Sequence, residues 1–396
     1  MSSKQPDSDP ASFNEASGSL ASSGLDGEGR RWDDPPSEVP PHLNDNSASC
    51  VILIAKRTLR ITDHSFRGGR EIQQLAFTPS DSHIIVMAPN VQGGSASAIS
   101  GNAGEPSAQG SSTLSIFNSL SGMETNFAQN HKAIVFGGFA CIPMPDDAIA
   151  APLYRHEAGS SGPSPVRTPR LQVFDLALKK RRLKIDLPIQ APLAYSPDGL
   201  LIASASAVVP SRIQLYDVIG ERILPRRQIP HHIDDVTHLA VVPDGTALAS
   251  LSKDGTGRLT SLATGRVLGK FEVETRHAPR MLQVSPDGQL IASVWGWDVV
   301  LWYPATSKVV VYNVNAARQT EGWPLCISPD CRFLACRTED GFDVMDLATG
   351  RFLGEITGFT GERSLFISAA AFNSDGGWLV AGKSNGEVVL YEVILT

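Results

Sequence analysis

The 396-residue sequence has few cysteines, no long apolar run and no export signal. Its five cysteines are an odd, sparse set without a Cys-x-x-Cys pair, so they predict reduced thiols rather than a disulfide framework or a metal site. No apolar run reaches the roughly 18 residues that a bilayer span needs, and the N-terminus lacks the basic, apolar and small-residue order of a signal peptide. We therefore expect a cytoplasmic and/or nuclear protein without a transmembrane segment.

The charge is acidic overall and unevenly distributed. A formal net charge of −7 and a pI near 5.7 give no general attraction to nucleic acid or anionic membrane. Residues 1–48 hold nine acids against three bases, are rich in Ser, Gly and Pro, and have few large apolar side chains. Such a segment cannot offset its ordering entropy, so we predict a disordered acidic tail at 1–48 and a single folded domain at 49–396.

The most informative feature that is present is a repeated turn. Five times an apolar stretch enters a Ser-Pro-Asp-Gly-like turn and leaves it as a second apolar stretch. The aspartates of these turns are spaced by 46, 43, 43 and 45 residues and are Asp198, Asp244, Asp287, Asp330 and Asp375. Strand–turn–strand punctuation at a period in the forties is typical of a β-propeller blade.

Two earlier units fit the same pattern if they carry insertions at 89–112 and 155–170. The predicted fold is therefore all-β, a seven-bladed propeller of four-stranded antiparallel blades. The last unit stops at its third strand, and a strand-like run at 50–61 has no unit of its own. We expect this N-terminal run to supply the missing outer strand and to close the ring, because closure removes exposed sheet edges.

Several third strands end in an aromatic or apolar residue followed by Asp, as in Leu215-Tyr-Asp217, and resemble the Trp-Asp ending of WD repeats. The stretch from His232 through Val242-Pro-Asp-Gly245 to Asp254 resembles a whole repeat of that family. The resemblance implies a hydrogen-bonded set of His232, Ser252 and Asp254, with Thr260 where the family has Trp. It identifies a divergent WD-repeat protein and no named subfamily.

The motifs in the sequence predict no catalytic residue, no cofactor and no metal ligand. Residues 377–384 match the phosphate-loop pattern GxxxxGK[ST], but their apolar interior and the following Asn385-Gly386 favour a strand and hairpin. His231 and His232 lie beside Asp234 and Asp235, and a loop that caps a blade explains this group as well as an acid–base or metal site does.

Two surface features remain open. Basic residues recur in the hairpins between third and fourth strands, which would place them on one face of the propeller. They are Lys179, Lys180, Arg181, Arg182, Arg222 and Arg266. This face could be a phosphate- or lipid-headgroup contact, an import signal or an ordinary solvated surface. Ser164 and Thr168 each precede a proline in the second insertion and are candidate phosphosites, where phosphate would add negative charge.

These features favour a non-enzymatic protein-interaction scaffold, monomeric by itself within a multiprotein complex. We expect other proteins as partners, bound through aromatic and Arg anchors on loop tips that the sequence does not identify, and no nucleic acid. Two alternatives stay open. One is a propeller enzyme or small-ligand binder that uses the central channel, and the other is a phosphoinositide or phosphate reader that makes peripheral membrane contact through the basic hairpins.

Overall fold

The computed structural model describes residues 51–60, 72, 74–90, 111–125, 134–136, 140–142, 148–155, 170–175, 180–206, 208–220, 222–274, 277–315, 323–338, 341–357 and 366–395. These residues form 28 strands that pair into antiparallel sheets. The described part of the chain contains no helix with the length and hydrophobicity that membrane crossing requires.

The first half of the chain begins with a single strand and continues with a four-stranded and an eight-stranded sheet. The single strand is β1 (Val51–Arg60). The four-stranded sheet contains β2 (Gln74–Phe77), β3 (His83–Asn90), β4 (Ser111–Asn118) and β5 (Glu124–Thr125). The eight-stranded sheet contains β6 (Ile134–Phe136), β7 (Ala140–Ile142), β8 (Ala148–Arg155), β9 (Arg170–Asp175), β10 (Lys180–Tyr195), β11 (Leu201–Ser206), β12 (Ile213–Ile219) and β13 (Arg222–Ile229).

The second half consists of four-stranded sheets whose strands follow the chain order. The next sheet contains β14 (Val236–Val241), β15 (Ala247–Ser252), β16 (Thr256–Ser261) and β17 (Val267–Glu272), followed by one with β18 (Pro279–Val284), β19 (Ile291–Trp295), β20 (Asp298–Tyr303) and β21 (Lys308–Asn313). Then come β22 (Trp323–Ile327), β23 (Phe333–Arg337), β24 (Gly341–Asp346) and β25 (Arg351–Thr357). The last sheet contains β26 (Ile367–Phe372), β27 (Trp378–Lys383) and β28 (Glu387–Leu395), with β1 as its fourth strand.

The repeated turn joins the first two strands of a sheet through a fixed set of hydrogen bonds. In the turn before β11, Ser196 Oγ donates to Asp198 Oδ1 at 2.5 Å, and that carboxylate also accepts from the backbone N–H of Leu200 at 2.9 Å. Gly199 follows with φ +70°, a conformation that glycine adopts without a steric penalty. The turn therefore needs an acceptor followed by a residue in the left-handed region, which explains the recurrence of Asp-Gly.

Burial along each sheet explains why the apolar patterns differ from strand to strand. Every residue of the second strands β11 and β15 is buried, because neighbouring sheets cover both of their faces. The fourth strand β13 instead exposes most of its residues. The short run of small apolar residues thus marks the interior of a sheet, and the charged, irregular run marks its outer edge.

The predicted count of seven separate blades is wrong for the described strands, which form six sheets. The reason lies in β10, a 16-residue strand that no turn interrupts. Its first part, Lys180 to Pro188, pairs with β9, and its second part, Ile189 to Tyr195, pairs with β11. The sequence repeat places β6–β9 and β11–β13 in separate blades. In the structure both sets pair with β10, so they form one eight-stranded sheet. The predicted all-β propeller with four-stranded antiparallel blades is confirmed.

The hydrophobic core consists of clusters that lie between successive sheets. One cluster joins β18–β21 to β22–β25, the next joins those strands to the last sheet, and another joins the last sheet to the first. At that junction Asp81 reaches across to the turn of the last sheet. Its carboxylate accepts from the side-chain amide of Asn373 at 3.0 Å and from the backbone N–H and hydroxyl of Ser374 at 2.9 and 2.6 Å.

The N-terminal run pairs with the end of the chain. Strand β1 is antiparallel to β28, with Val51 opposite Leu395 and Arg60 opposite Glu387. Leu53 and Leu59 are buried on this strand, and Lys56 forms an ion pair with Glu392 at 2.7 Å. The last sheet therefore receives its fourth strand from the opposite end of the described chain.

Candidate interaction site

The structure brings His232 and Asp254 of the predicted WD-like set together in a buried network. His232 Nδ1 lies 3.1 Å from Asp254 Oδ2 and 3.1 Å from Thr256 Oγ1. The Asp254 carboxylate also accepts from the Thr256 hydroxyl at 2.6 Å and from the backbone N–H of Ile233 at 3.0 Å. This network fixes the segment before β14 against the turn between β15 and β16.

Ser250, which the sequence did not single out, is the serine that contacts the imidazole, and Ser252 is bonded to Asp254, whose backbone N–H donates to the Ser252 hydroxyl at 3.1 Å. His232 Nε2 lies 2.8 Å from Ser250 Oγ, whereas Ser252 donates to the backbone oxygen of Asp234 at 2.9 Å. Side chains alternate between the two faces of a strand, but a two-residue shift keeps the same face, so the pattern alone does not separate these serines. Thr260, at the Trp position of the family, is buried.

Electrostatics make this network a structural element. Burial lowers the pKa of His232 and keeps the imidazole neutral, although the Asp254 carboxylate acts in the opposite direction. Burial alone would raise the pKa of Asp254, but the hydrogen bonds from Thr256 and Ile233 lower it overall. The neighbouring His231 ring contacts the backbone oxygen of Gly265 at 2.8 Å, so the two histidines do not converge on one point.

The phosphate-loop match and the cysteines do not form a binding site in the described structure. Residues 378–383 of the phosphate-loop match form β27, whose four central residues are buried, and Lys383 Nζ donates to Glu387 Oε2 at 3.2 Å. Among the described residues, no group of three or more His, Cys, Asp or Glu side chains is placed to hold a metal ion. Burial raises the pKa of the Cys331 and Cys326 thiols, which keeps them protonated.

The predicted basic residues are only partly described. Lys180, Arg181 and Arg182 begin β10, and Lys179 lies outside the described residues. Arg222 begins β13 and Arg266 precedes β17, and both are exposed. The arc of positive charge stays a prediction. The candidate phosphosites Ser164 and Thr168, the acidic tail at 1–48 and nearly all of both insertions also lie outside the described residues.

The sequence did not identify a row of aromatic and basic side chains that crosses three sheets. We call it the aromatic–arginine cluster; its members are His277, Arg280, Trp297, Trp323, Arg337 and Phe366. The ring of Trp297 meets the His277 ring edge-on at 5.2 Å and the Trp323 ring edge-on at 5.7 Å between centroids. Such edge-to-face pairs are worth about 0.5–1.5 kcal/mol beyond their buried area.

Two guanidinium groups contact the central ring of the cluster. Arg280 Cζ lies 4.0 Å from the centroid of Trp323, and Arg337 Cζ lies 5.7 Å from it. Arg337 also lies over the ring of Phe366 at 4.8 Å, and its Nη1 donates to the backbone oxygen of Ile367 at 3.4 Å. Each arginine is thus held over an aromatic face, a contact worth about 0.5–1 kcal/mol at exposed sites.

The cluster concentrates positive charge. Packing of the exposed Arg280 against its neighbours, and secondly the charge of Arg337, lower the pKa of Arg280. Within the described part of the chain, no carboxylate forms an ion pair with Arg280. Burial raises the pKa of Asp298. The hydrogen bond that it accepts from Asn313 Nδ2 at 2.7 Å and the charge of His277 act in the opposite direction. The Asp298–Asn313 bond links the paired strands β20 and β21.

The repeat explains how the cluster is assembled. Arg280 and Trp323 start the innermost strands of adjacent sheets, and Trp297 follows Gly296 in the turn between β19 and β20. Gly296 has φ +65°, and a Cβ there would lie 2.7 Å from the His277 ring, so glycine lets this ring approach the turn. These positions meet at one rim of the molecule, where the innermost strands begin and the second strands end.

A sequence signal for this cluster exists in the repeat offset. Arg280 and Trp323 both lie seven residues before a turn aspartate, Asp287 and Asp330 respectively. Other repeats carry smaller side chains at this offset, Thr237 and Ser368. Large aromatic and basic residues at one repeat position predict a common rim, although the contacts among them require the structure.

The described geometry defines a β-propeller protein built from antiparallel four-stranded units. Two segments, residues 224–260 and 352–392, match the family described as WD domain, G-beta repeat. The chain resembles divergent WD-repeat proteins, and the matches indicate no named subfamily. The resemblance inferred from the repeat is thereby confirmed.

Curated relatives resemble the chain at low identity. The chain is 25% identical over 155 residues to the small ribosomal subunit protein RACK1y of Oryza sativa subsp. japonica, covering 38% of this chain and 45% of the relative. It is 24% identical over 211 residues to periodic tryptophan protein 2 of Saccharomyces cerevisiae, covering 51% and 22%. The meiotic recombination protein rec14 of Schizosaccharomyces pombe is 25% identical, with 40% and 54% covered. The chain thus spans about half or less of the length of these relatives.

A solved structure shows the fold without close sequence similarity. A chain from a crystal structure of the mitotic checkpoint complex superposes with a TM-score of 0.59 at 13% identity. The superposition covers 86% of this chain and 96% of that chain.

Proposed function

We propose that this protein is a non-enzymatic scaffold that holds a partner protein at the aromatic–arginine cluster. Trp and Arg are the residue types most enriched among interface hot spots, because they bury large areas and make several directional contacts. Here two Trp rings and two guanidinium groups lie together at one rim. This juxtaposition is the observation that supports the proposal.

The arrangement of the cluster also favours tight binding. Trp323 and Arg337 are half-buried and are held by ring stacking and by the bond to the Ile367 carbonyl, so little side-chain freedom is left to lose on association. Phe366 is 38% exposed and offers an apolar surface at the end of the row. A partner that covers this row would desolvate rings that are already oriented.

Affinity purification of the full-length chain from cells that express it tests the proposal. Proteins recovered with the wild-type chain and verified by reciprocal purification should be lost with Trp323→Ala and reduced with Phe366→Ala. Leu120→Ala is the matched control, because Leu120 is a large apolar residue that is 83% exposed in the turn after β4, in another sheet. Recovery of the same partners by all four proteins would refute a role for the cluster.

A loss of partners has to be separated from a loss of structure. Phe366 is exposed, so Phe366→Ala should leave the urea unfolding midpoint close to that of the wild-type chain. A variant that keeps its midpoint and loses its partners supports the proposal. If partners are lost only by variants that also unfold, the cluster stabilises the ring and does not bind.

The finer organisation belongs to the same proposal. We infer that β1 closes the ring by pairing with β28, and that residues 49–396 form a single domain preceded by an acidic tail at 1–48. The protein then acts as a monomer inside a larger complex in the cytoplasm or nucleus. The pairing of β1 with β28 and the resemblance to WD-repeat proteins support these statements, and size-exclusion chromatography with light scattering tests the monomer.

A further inference from the structure

We propose that the aromatic–arginine cluster recognises an acidic linear segment of another protein, in which carboxylates flank or adjoin an apolar side chain. This inference rests on the proposed function and names the chemistry of its partner. It follows from the charge of the cluster, from the spacing of its two guanidinium groups and from the apolar rings between them.

Arg280 and Arg337 place two positive charges at the cluster. Both guanidinium groups contact the Trp323 ring, and the positive charge of each is unfavourable for the other. The chain as a whole carries a net charge of −7, so a cationic pair at one rim contrasts with the average surface. A carboxylate bound between or beside the pair relieves this repulsion and accepts charge-assisted, bidentate hydrogen bonds from the planar guanidinium groups.

The separation of the two guanidinium groups is compatible with an extended peptide. Both guanidinium carbons lie over one ring, at 4.0 and 5.7 Å from its centroid, so they are less than about 10 Å apart. Two acids separated by one residue of an extended peptide are roughly 7 Å apart on the same side of the peptide, which fits within this limit. The exposed Phe366 and the half-buried Trp297 provide the surface for an adjoining apolar side chain.

The arrangement suits carboxylates on a peptide more closely than a single phosphate. The two guanidinium groups lie over separate aromatic surfaces, since Arg337 is also held over Phe366 and bonded to the Ile367 carbonyl. Phosphate sites usually add a helix N-terminus or a nest of backbone N–H groups, and the described cluster members lie on strands and turns. Two carboxylates on separate residues of a peptide fit two guanidinium groups that lie over separate aromatic surfaces.

Selection from a random linear peptide library with the immobilised full-length protein tests the proposal. We expect enriched peptides to contain Asp or Glu pairs separated by one residue, next to an aromatic or aliphatic residue. The enriched peptide, measured by isothermal titration, should bind about tenfold or more weakly to Arg280→Ala and to Arg337→Ala. Its affinity should also fall as NaCl concentration rises. Substitution of its acids by Asn or Gln should cause a comparable loss.

Two controls make the result specific. Arg222→Ala removes an exposed arginine at the start of β13, in another sheet, and should leave peptide affinity unchanged. Arg280→Lys keeps the positive charge without the planar, bidentate group and should give an intermediate affinity. Equal losses in Arg222→Ala and Arg280→Ala would mean a general charge effect and would overturn the proposal.

Other outcomes identify other occupants and also overturn it. Enrichment of neutral apolar peptides that depend on Trp323 would contradict the acidic segment and leave the scaffold function intact. Binding of a phosphoserine peptide without binding of its Glu counterpart would assign the site to phosphate. Enrichment only after neutralisation of the nine acids in residues 1–48 would assign the site to the chain's own N-terminal segment. If no peptide is enriched and Trp323→Ala still loses its partners, recognition of a linear segment is refuted and the proposed scaffold function stands.

Discussion

The pairing of β1 with β28 leads to a quantitative prediction about Leu59. This side chain is 3% exposed and belongs to the core cluster that joins the last sheet to the first, where it packs with Leu75 of β2 and Leu390 of β28. Leu59→Ala removes a methine and two methyl groups from a site packed from both sheets. The expected loss in free energy of unfolding is about 2–5 kcal/mol, the range for large-to-small substitutions in a packed core.

Neighbouring residues of the same strand supply the control. Thr58 is exposed on β1, so Thr58→Ala should change stability by less than about 0.5 kcal/mol. Lys56→Ala removes an ion pair with Glu392 whose side chains are 43% and 37% exposed, and should cost no more than about 1 kcal/mol. The three variants thus distinguish the loss of a buried side chain of β1 from the loss of an exposed one.

Urea unfolding followed by tryptophan fluorescence measures the three variants, since the chain has six tryptophans. Leu59→Ala should lower the midpoint with little change in slope, because the surface exposed on unfolding stays nearly the same. Equal midpoints for Leu59→Ala and Thr58→Ala would refute the docking of β1 and with it the proposed closure of the ring. Cleavage of the wild-type chain within 51–60 under native conditions would point the same way.

Three further predictions concern named hydrogen-bonded groups. Asp81→Ala and Ser374→Ala should each cost about 1–2 kcal/mol and show a coupling energy in a double-mutant cycle, and purely additive effects would contradict the bond between the first and last sheets. His232→Ala and Ser250→Ala should likewise be coupled in urea unfolding, whereas additivity would show that the serine is misassigned. Burial lowers the pKa of His238 to about 4, so the unfolded chain binds a proton that the folded chain does not between about pH 6.5 and 4. Stability should therefore fall by about 1–3 kcal/mol as pH drops through this window, and a stability–pH profile of His238→Leu that retains the full slope would contradict this assignment.

The turns were predictable because their chemistry is local. The hydrogen bonds of each turn join residues that are at most a few positions apart. Ser196 donates to Asp198, and the Asp198 carboxylate accepts from the backbone N–H of Leu200. Even the exception is local in origin: Cys331 occupies the glycine position with φ +58° and packs its buried thiol into the core. Strand positions followed from these turns.

The count of separate sheets was less predictable. A repeat pattern marks where each unit begins, but it does not show whether the strand between two units breaks. In β10 the chain passes from the partner β9 to the partner β11 without a turn. Hydrogen-bond partners on both sides decide this continuity, and they are distant in the sequence.

The histidine network shows the same division. His232 and Asp254 were recognisable by their resemblance to a family pattern. The choice between Ser250 and Ser252 depended on where the imidazole points, and Ser250 Oγ is the nearer group at 2.8 Å. Two serines on the same face of β15 are equivalent in pattern and differ only in depth along the strand.

By itself, the sequence determined the all-β class, the repeat, the turn chemistry and the WD-like character of this chain, because each depends on residues that are close together or recur at a fixed period. Only the tertiary structure decided that β10 continues from one strand set into the next, that Asp81 bonds the turn of the last sheet and that Arg280 and Arg337 meet over Trp323. Those contacts join residues from different repeats, and closure of successive sheets around a common core brings them within bonding distance.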